Sequence, residues 1–378
     1  MNKPATAFIY STELEKYAYP PEHPFNTARA KKLRKILNSM GLLSGDNRTE
    51  VPPEPAAEDV LTKFHSLRYL NALKLAGQGK FDTDALSMGI GTSDCPVFEG
   101  LYDYSVLACG ATLTAAKLML TGAAQSAFNP SGGYHHAGPE RASGFCYIND
   151  VALACLIFAE AGRKVLYLDV DVHHGDGVAY AFYDRSDVMT ISLHQDPRTL
   201  FPGTGFEDEI GTGAGKGYCI NIPLPIGTYD EAYLNVFERV VLPLIASFSP
   251  EIIVFELGAD ALASDPLAQM YLTNNVYADI IKHLLSFSKP ILVTGGGGYN
   301  IQNTVRAWAL AWSVLCEADK GDEMNLGLGG VMLENTDWQG GLRDRVLTVT
   351  DQQKKTVKPV VDAVIESVKS RIFPTHGL

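Results

Sequence analysis

The chain has 378 residues, of which 46% are hydrophobic and 20% charged, and its formal net charge is −12. These proportions are typical of a globular protein, and the length allows one large α/β domain or two domains. The acidic balance disfavours nonspecific nucleic-acid binding, and the absence of any run of about 18 apolar residues disfavours a membrane span. Six scattered cysteines with no CxxC pair, and an N-terminus without the apolar core of a signal peptide, predict a cytoplasmic protein.

The first part of the chain is predicted to start with a strand and continue with helices. Residues 6–11 read as a short strand, and Asn26 is predicted to cap an amphipathic helix that Gly41 ends. Residues 51–55 form a proline-rich segment, but a helical pattern resumes at once over 58–77. This segment is therefore interpreted as a connector and not as a domain boundary.

From residue 79 onward the chain first reads as a loop, then as a helix over 102–120, and then as alternating strands and helices. Strand-like SAFNPSGGYHH, KVLYLDVDVHHGDG, EIIVFELGAD and PILVTGGGGYN precede helical patterns near 150–161, 177–183, 276–288 and 304–318, and VMTISLHQ leads into a long loop. Such alternation predicts a mostly parallel sheet with helices on both faces. The functional site of such a sheet lies beyond the carboxyl ends of its strands.

No linker, repeat or low-complexity tract divides the sequence, so one α/β domain over residues 1–378 is predicted. The segment 351–372 is predicted to be a surface helix interrupted near Pro359, since proline lacks the N–H that a helix interior needs.

The stretch KVLYLDVDVHHGD, residues 164–176, carries the most informative pattern of the chain. On a strand, Asp169, Asp171 and His173 would project to one face, while the valines between them would point into apolar packing. Buried carboxylates and imidazole are costly unless a cation or hydrogen-bonding partners compensate them. Two of these residues with one further carboxylate would form an open three-ligand metal site. The alternative is a hydrogen-bonded polar strand end.

The further carboxylate is predicted to be Asp260, which ends the strand-like run EIIVFELGAD. Asp265 competes for this role, but it lies deeper in the following loop, directly before a proline. A metal held by Asp171, His173 and Asp260 would suit Zn²⁺, and the two oxygen ligands leave Fe²⁺ and Co²⁺ open.

Acid–base groups are predicted next to this metal. His135 and His136 follow a turn of small residues, and Asp169 and Asp176 remain as partners once a metal takes Asp171 and His173. A histidine held by a buried aspartate has a fixed tautomer and a raised basicity. Two such pairs would supply a general base and a general acid.

Tyr299 follows four consecutive glycines, Gly295 to Gly298, at the end of a strand-like run. Glycines allow close backbone approach, so a tyrosine delivered there can donate a hydrogen bond to an oxyanion. The alternative is a tyrosine that only packs at a strand end.

These segments together resemble a known family. GGYHHAGPERASGFCYIND, LYLDVDVHHGDGVAYAFY, TISLHQDPRTLFPGTG, LGADALASDPL and GGGGYN closely resemble the zinc-dependent histone deacetylase superfamily, nearest to its bacterial deacetylase-like and acetoin-utilisation members. The resemblance runs over residues 9–315. It implies the arginase–deacetylase fold, a single domain with a mostly parallel sheet, and leaves 316–378 as an extension packed on or beside it.

The resemblance also implies metal ligands, two His–Asp pairs and a carbonyl-polarising tyrosine. The implied metal ligands are Asp171, His173 and Asp260. The implied pairs are His135 with Asp169 and His136 with Asp176, and the tyrosine is Tyr299. It further implies a tunnel for acyl-lysine. Phe145 and Phe201 would form its walls beside Gly144, with Leu267 at the rim and Asp94 holding the substrate backbone.

Members of the family bind potassium near the metal, partly through backbone carbonyls. The resemblance places one potassium site on Asp169, Asp171, His173, Ser192 and Leu193. It places a second on the carbonyls of Phe182, Arg185, Val188 and Tyr218.

The predicted function is hydrolysis of the acetyl amide of N-ε-acetyl-lysine in proteins or peptides. An acetylpolyamine amidohydrolase would favour an acid at the rim, where Leu267 is apolar. A binuclear manganese ureohydrolase would need a second set of metal carboxylates, and a binding module would have lost a catalytic group. The sequence shows neither feature.

Overall fold

The computed structural model describes residues 5–80, 82–319 and 341–378. These residues form eight strands: β1 Thr6–Ile9, β2 Arg48–Val51, β3 Ser126–Asn129, β4 Val165–Asp169, β5 Val188–Gln195, β6 Cys219–Leu224, β7 Ile252–Glu256 and β8 Ile291–Thr294. They make one sheet in the order β2-β1-β3-β8-β7-β4-β5-β6, with every neighbouring pair parallel. The predicted mostly parallel α/β sheet is confirmed.

Helices cover both faces of this sheet. They are α1 Ala28–Ser39, α2 Glu58–Leu61, α3 Leu67–Ala76, α4 Thr83–Ser87, α5 Leu101–Leu120, α6 Asp150–Glu160, α7 Asp176–Ala181, α8 Asp230–Val236, α9 Leu242–Phe248, α10 Asn274–Ser286, α11 Ile301–Leu315 and α12 Asp351–Ile372. None of the described helices is long and apolar enough to cross a membrane.

The central strand β4 shows why both faces are covered. Leu166 and Leu168 join a core formed with α8–α12, whereas Val165 and Tyr167 join a core formed with α5 and α6. Successive side chains of a strand point to opposite faces, so an apolar strand such as β4 needs helices on both sides.

The structure ends β4 at Asp169, earlier than the predicted extended run through His173. The alternation nevertheless continues past the strand, because Val170 and Val172 remain buried in the same core as Leu166. The Val170 N–H still donates to a carbonyl of β7, at Glu256, over 3.1 Å. The predicted alternation of buried apolar and polar side chains therefore continues beyond Asp169, where the regular strand pairing of β4 ends.

Several elements differ from the prediction. The helical pattern over 58–77 is two helices, because the chain turns before Ser66, whose hydroxyl caps α3 by accepting from the Tyr69 N–H. The short strand β2 and the helices α8 and α9 were not predicted. Strand β2 is polar and lies at the edge of the sheet beside β1. Helices α8 and α9 are joined through a π turn, and Pro243 is the second residue of α9. These features weaken the periodic signals of both segments.

The predicted interruption of the last helix at Pro359 is wrong. Helix α12 runs through this proline from Asp351 to Ile372. Pro359 lies on the exposed side of the helix, where water can satisfy the carbonyl that loses its N–H partner. The opposite side buries Val357, Val361 and Ile365 against the sheet and α8.

Candidate active site

The site forms where several strands end at the same edge of the sheet. Asp169 is the last residue of β4, Asp260 follows β7, and Tyr299 follows β8. His135 and His136 lie in the segment after β3. Because β3, β8, β7 and β4 are adjacent and parallel, their carboxyl ends bring these residues together.

Three of the predicted metal ligands form one buried group, here called the Asp–His–Asp cluster: Asp171, His173 and Asp260. Nδ1 of His173 lies 3.1 Å from Oδ1 of Asp171 and 3.0 Å from Oδ2 of Asp260. The second oxygen of each carboxylate accepts a backbone N–H, from Gly297 for Asp171 and from Val172 for Asp260, over 2.7 and 2.9 Å. The backbone thus orients both carboxylates toward the histidine.

The cluster attracts positive charge. Burial alone lowers the pKa of His173, but the hydrogen bonds of its ring with Asp171 and Asp260 raise it to about 10. Burial and the neighbouring Asp171 raise the pKa of Asp260 to about 7. One nitrogen and two carboxylates converging on a point, with a strong affinity for positive charge, fit a divalent metal ion with an open position.

A second group of side chains that could hold a metal shares one residue with this cluster: His135, Asp171 and Glu256. Two of its members already have partners, since Nδ1 of His135 lies 2.9 Å from Asp169 and Oε2 of Glu256 accepts from the Thr294 hydroxyl over 2.6 Å. In the Asp–His–Asp cluster, by contrast, one nitrogen of His173 lies within hydrogen-bond distance of both carboxylates.

The two predicted His–Asp pairs are present as hydrogen-bonded pairs. Nδ1 of His135 lies 2.9 Å from Oδ2 of Asp169, and Nδ1 of His136 lies 2.7 Å from Oδ1 of Asp176. The two Nε2 atoms lie only 3.0 Å apart, so they can share one proton but cannot both carry one. One imidazole must be the donor and the other the acceptor.

The surrounding charges decide which of the two imidazoles carries the proton. Burial lowers the pKa of His135, but Asp169 and Asp171, followed by Glu256, outweigh burial and hold the pKa well above its usual value. Burial and the charge of His135 lower the pKa of His136 to about 4, against the opposing effect of Asp176. His135 is therefore the protonated ring, and Nε2 of His136 offers a lone pair.

The backbone before these histidines is held by a residue that sequence analysis did not single out. The buried carboxylate of Asp150, in the first turn of α6, accepts the N–H groups of Gly133 and Tyr134 over 3.1 and 2.8 Å. It also accepts the hydroxyl of Thr112. A buried acid aimed at consecutive backbone N–H groups fixes their direction, and therefore the entry of the chain into the histidine pair.

The backbone after the histidines is held by Asn149, the residue before Asp150. Its side-chain N–H₂ donates to the carbonyls of His135 and Ala137 over 3.3 and 2.9 Å, while its oxygen caps α6 at Ala152. Its own N–H donates to Nε2 of buried His65. The sequence signal for this arrangement was the Asn–Asp pair before a helical run, which is a usual N-terminal pattern.

A cavity of about 250 Å³ leads to the cluster. It is lined by all five residues predicted to bind substrate and by four others: Asp94, Gly144, Phe145, Phe201 and Leu267, with His136, His173, Leu200 and Tyr299. Leu200 was not predicted. The rings of Phe145 and Phe201 lie 5.7 Å from Tyr299 and 5.0 Å from His136, respectively. The apolar walls of the cavity therefore extend to His136 and Tyr299.

The wall at Phe145 is fixed by an unusual backbone. Gly144 and Phe145 have φ values of 54° and 68°, in the left-handed region. The N–H of Gly144 donates to Oδ2 of Asp94 over 2.7 Å, and the hydroxyl of Tyr19 donates to the carbonyl of Phe145 over 2.7 Å. Both contacts hold the turn that presents the ring.

Asp265, the competing third ligand, has another task. Its carboxylate accepts the backbone N–H groups of Tyr299 and Leu267 over 2.8 and 2.9 Å. It thus links the rim of the cavity to the tyrosine, while Asp260 lies in the cluster. Burial, with Asp260 and Asp171 nearby, raises the pKa of Tyr299 well above its usual value, so the phenol stays protonated and can donate.

The residues predicted for the first potassium site lie on β4 and β5 or directly after β4. Asp169 of β4 is directly opposite Ser192 of β5, and Asp171, His173 and Leu193 follow close to them in the chain. The predicted second group lies near the start of β5, where the carbonyls of Phe182 and Tyr218 already accept backbone N–H groups from Arg185 and Thr190. Potassium would have to share those two carbonyls.

Comparisons with known proteins agree with this architecture. Residues 23–315 match the family model of the histone deacetylase domain. The chain is 41% identical to acetoin utilization protein AcuC of Bacillus subtilis (strain 168) over 328 residues, 84% of each chain. It is 42% identical to histone deacetylase 8 of Xenopus tropicalis over 282 residues, 74% of this chain and 76% of that protein. The crystal structure of an HDAC homologue complexed with SAHA superposes with a TM-score of 0.86 at 32% identity, covering 97% of this chain and 100% of the other.

Proposed function

The chain belongs to the histone deacetylase family, and from this membership we propose that it hydrolyses the acetyl amide of N-ε-acetyl-lysine in proteins or peptides and releases acetate. One observation carries the proposal. The cavity between Phe145 and Phe201 ends at His136, His173 and Tyr299, so a slender apolar substrate arm would deliver its amide to the polar groups.

The shape and polarity of the cavity favour a neutral acyl-lysine. Burying four lysine methylenes between the two phenylalanines contributes roughly 3 kcal/mol, at about 0.8 kcal/mol per CH₂. The acetylated side chain enters without losing the hydration of a charge, whereas the product ammonium would lose it. This difference favours binding of the substrate and release of the product.

The Asp–His–Asp cluster is proposed to hold Zn²⁺, with Fe²⁺ or Co²⁺ as alternatives for a site with two carboxylate ligands. When bound, such an ion acts as a Lewis acid and lowers the pKa of water at its open position. The residues Asp171, His173 and Asp260 would supply the three ligands.

The remaining groups of the site are proposed to move protons and stabilise charge. Nε2 of His136 accepts a proton from the attacking water, and Asp176 stabilises the resulting imidazolium. In the same step the Nε2 proton of His135 passes to the leaving amine, so the facing nitrogens, 3.0 Å apart, carry one proton throughout. The hydroxyl of Tyr299 donates to the amide oxygen as it gains negative charge.

Potassium is proposed to bind at the first predicted group, Asp169, Asp171, His173, Ser192 and Leu193. A cation there would offset the buried carboxylates of Asp169 and Asp171. The second group, Phe182, Arg185, Val188 and Tyr218, is proposed as a weaker site, because two of its carbonyls already accept hydrogen bonds.

The setting is proposed to be the cytoplasm, which all six cysteines support because they are free and buried. We also propose an acetylated protein or peptide as partner, without direct nucleic-acid binding, in keeping with the net charge of −12. The division into one domain with an extension over 316–378 stays a prediction.

The decisive experiment compares hydrolysis of an acetyl-lysine peptide with that of N-acetylputrescine by the zinc-reconstituted protein. The peptide should be cleaved much faster, since the rim residue Leu267 offers no charge to a second ammonium. His136→Ala should abolish turnover of both. Faster cleavage of the polyamine would overturn the substrate assignment but keep the chemistry, and no turnover of either would overturn the enzymatic function.

A further inference from the structure

We propose that His194 is a positioning residue for the cavity, which holds the wall residue Phe201 in place through the carbonyl of Gly205. By fixing this wall, His194 sets the affinity for the aliphatic arm of the substrate. The proposal rests on the proposed function for the chemical nature of that arm. The contacts that support the proposal are all contacts within the protein.

The Phe201 wall depends on its backbone. Phe201 is 44% exposed, and its ring centroid lies 5.0 Å from that of His136 and 6.4 Å from that of His173. Among the described residues, 200–203 make no hydrogen bond to any other part of the chain. The position of the ring is therefore set by the packing of Leu200 against the core and by the points at which the following chain is fixed.

After Phe201 the first fixed points are Thr204 and Gly205. The carbonyl of Gly205 lies 2.9 Å from Nε2 of His194, and the hydroxyl of Thr204 lies 2.9 Å from Nδ1 of His174. Both histidines are buried, and their rings lie 4.9 Å apart. Two buried imidazoles thus hold two consecutive residues of the loop.

The tautomer of His194 follows from its partners. A carbonyl oxygen can only accept, so Nε2 carries the proton that is donated to Gly205. Nδ1 then accepts from the hydroxyl of Ser192, which lies 2.8 Å away. Each polar atom of the ring is satisfied, and only one orientation of the imidazole satisfies both.

Gly205 makes this contact possible. Its φ is 94°, and a Cβ atom there would come within 2.5 Å of Nε2 of His194 and 2.7 Å of Cγ of His174. A glycine lets the backbone lie directly against both rings. The loop backbone therefore lies in direct contact with both rings, and the Glu209 carboxylate holds the same stretch by accepting the N–H groups of Gly205 and Phe206 over 3.1 and 3.2 Å.

Releasing Gly205 should therefore loosen the wall without altering the metal cluster. The arm of a long ligand would lose contact with Phe201, whereas a ligand that reaches only the cluster would not be affected. His194→Leu removes the donor, and His194→Gln keeps an N–H that can reach the same carbonyl. Thr204→Val removes the contact of the loop with His174 at nearly constant volume.

The test measures binding of two hydroxamates to the zinc-reconstituted protein: octanohydroxamate, whose chain fills the cavity, and acetohydroxamate, which has none. In His194→Leu the affinity for octanohydroxamate should fall about tenfold, or about 1.4 kcal/mol, while that for acetohydroxamate stays unchanged. His194→Gln should recover most of the loss, and Thr204→Val should show a smaller loss of the same kind.

Zinc content and melting temperature of each variant serve as controls for folding. An equal loss for both hydroxamates, or no loss for either, would overturn the role of His194, and His194→Met, which also lacks the donor, decides the matter if His194→Leu does not fold. The outcome is separate from the proposed function, since a wild type that cleaves no acetyl-lysine peptide can still show the difference between long and short ligands.

Discussion

At the scale of single residues, the two histidines of the site differ because their surroundings differ. His135 is held by Asp169 inside a group of buried acids, and His136 by Asp176 nearer the cavity. The two imidazoles therefore differ in charge although their Nε2 atoms lie 3.0 Å apart: His135 is protonated and His136 is neutral. Burial raises the pKa of the neighbouring Glu256 well above its usual value, so the difference rests mainly on Asp169 and Asp171.

The role of Tyr299 is tested by Tyr299→Phe. Loss of one preorganised donor to a developing oxyanion typically costs about 100-fold to 1000-fold in kcat. We expect such a fall in kcat for an acetyl-lysine peptide, with little change in KM and in melting temperature. Tyr102→Phe, on α5 away from the cavity, is the matched control. A variant with nearly normal kcat would show that Tyr299 only packs.

The metal ligands are tested by the thermal stability of the protein with and without added Zn²⁺. A ligand that binds only the folded state at 100 times its Kd stabilises it by about 2.7 kcal/mol. Zinc should raise the melting temperature of the wild type, and Asp260→Asn should weaken this shift.

Glu256→Gln is the matched control for the second group of possible ligands. It should keep the zinc-dependent shift, because Glu256 lies outside the Asp–His–Asp cluster. If Glu256→Gln loses the shift and Asp260→Asn keeps it, the metal binds with His135 and Glu256 and the assignment of the cluster is wrong.

At the scale of elements, the start of α6 is the part that positions the histidine pair. Asn149 and Asp150 bind the backbone on both sides of His135 and His136. Neither residue lines the cavity. The buried His65 accepts the N–H of Asn149 over 3.0 Å and so supports this element from behind.

His65 predicts a pH dependence of stability. Burial, the largest cause, lowers its pKa from 6.5 to about 4 in the folded protein. The unfolded chain therefore binds the proton more readily, and the stabilisation by neutral His65 is complete above pH 6.5 and is lost as the pH falls toward 4. The loss amounts to about 3 kcal/mol, at about 1.36 kcal/mol per pKa unit.

His65→Gln removes this titration and keeps an acceptor for Asn149. In chemical denaturation between pH 7 and 4, the free energy of unfolding should fall less steeply for the variant than for the wild type. Parallel curves for the two proteins would contradict the assignment of the pH dependence to His65.

At the scale of the whole molecule, α12 extends the apolar core beyond the residues that match the family model, which end at 315. Its buried side joins the same core as the sheet and α8–α11. Helix α12 is therefore part of the packing that supports the strands, although it contributes no residue to the cavity.

Ile365→Ala tests this contribution. Ile365 is fully buried, and truncation of a buried isoleucine typically costs 2–5 kcal/mol, so we expect a loss of about 3 kcal/mol in the free energy of unfolding. Val360→Ala on the same helix is the control, because Val360 is 45% exposed and should change stability by less than about 0.5 kcal/mol. Equal effects of the two substitutions would show that α12 does not belong to the core.

The sequence by itself determined the parallel sheet and the chemical types at the site. Strands that are apolar on both faces can be buried only between helices, and the polar residues that follow β4, β7 and β8 had to meet because parallel strands end at one edge. For the same reason Asp171, His173 and Asp260 could be grouped from their positions in the chain alone. Periodicity failed where its signal is weak, in polar β2 and around Pro243, and the interruption of α12 predicted from the missing N–H of Pro359 was wrong.

Only the tertiary structure decided the relations between residues that lie far apart in the chain. It placed Asp265 under Tyr299, gave His135 and His136 different charge states, and bound their backbone to Asn149 and Asp150. It also brought His194 against Gly205. These outcomes depend on burial, on distances of about one hydrogen bond and on which atom faces which. None of these quantities is contained in the spacing of residues along a sequence.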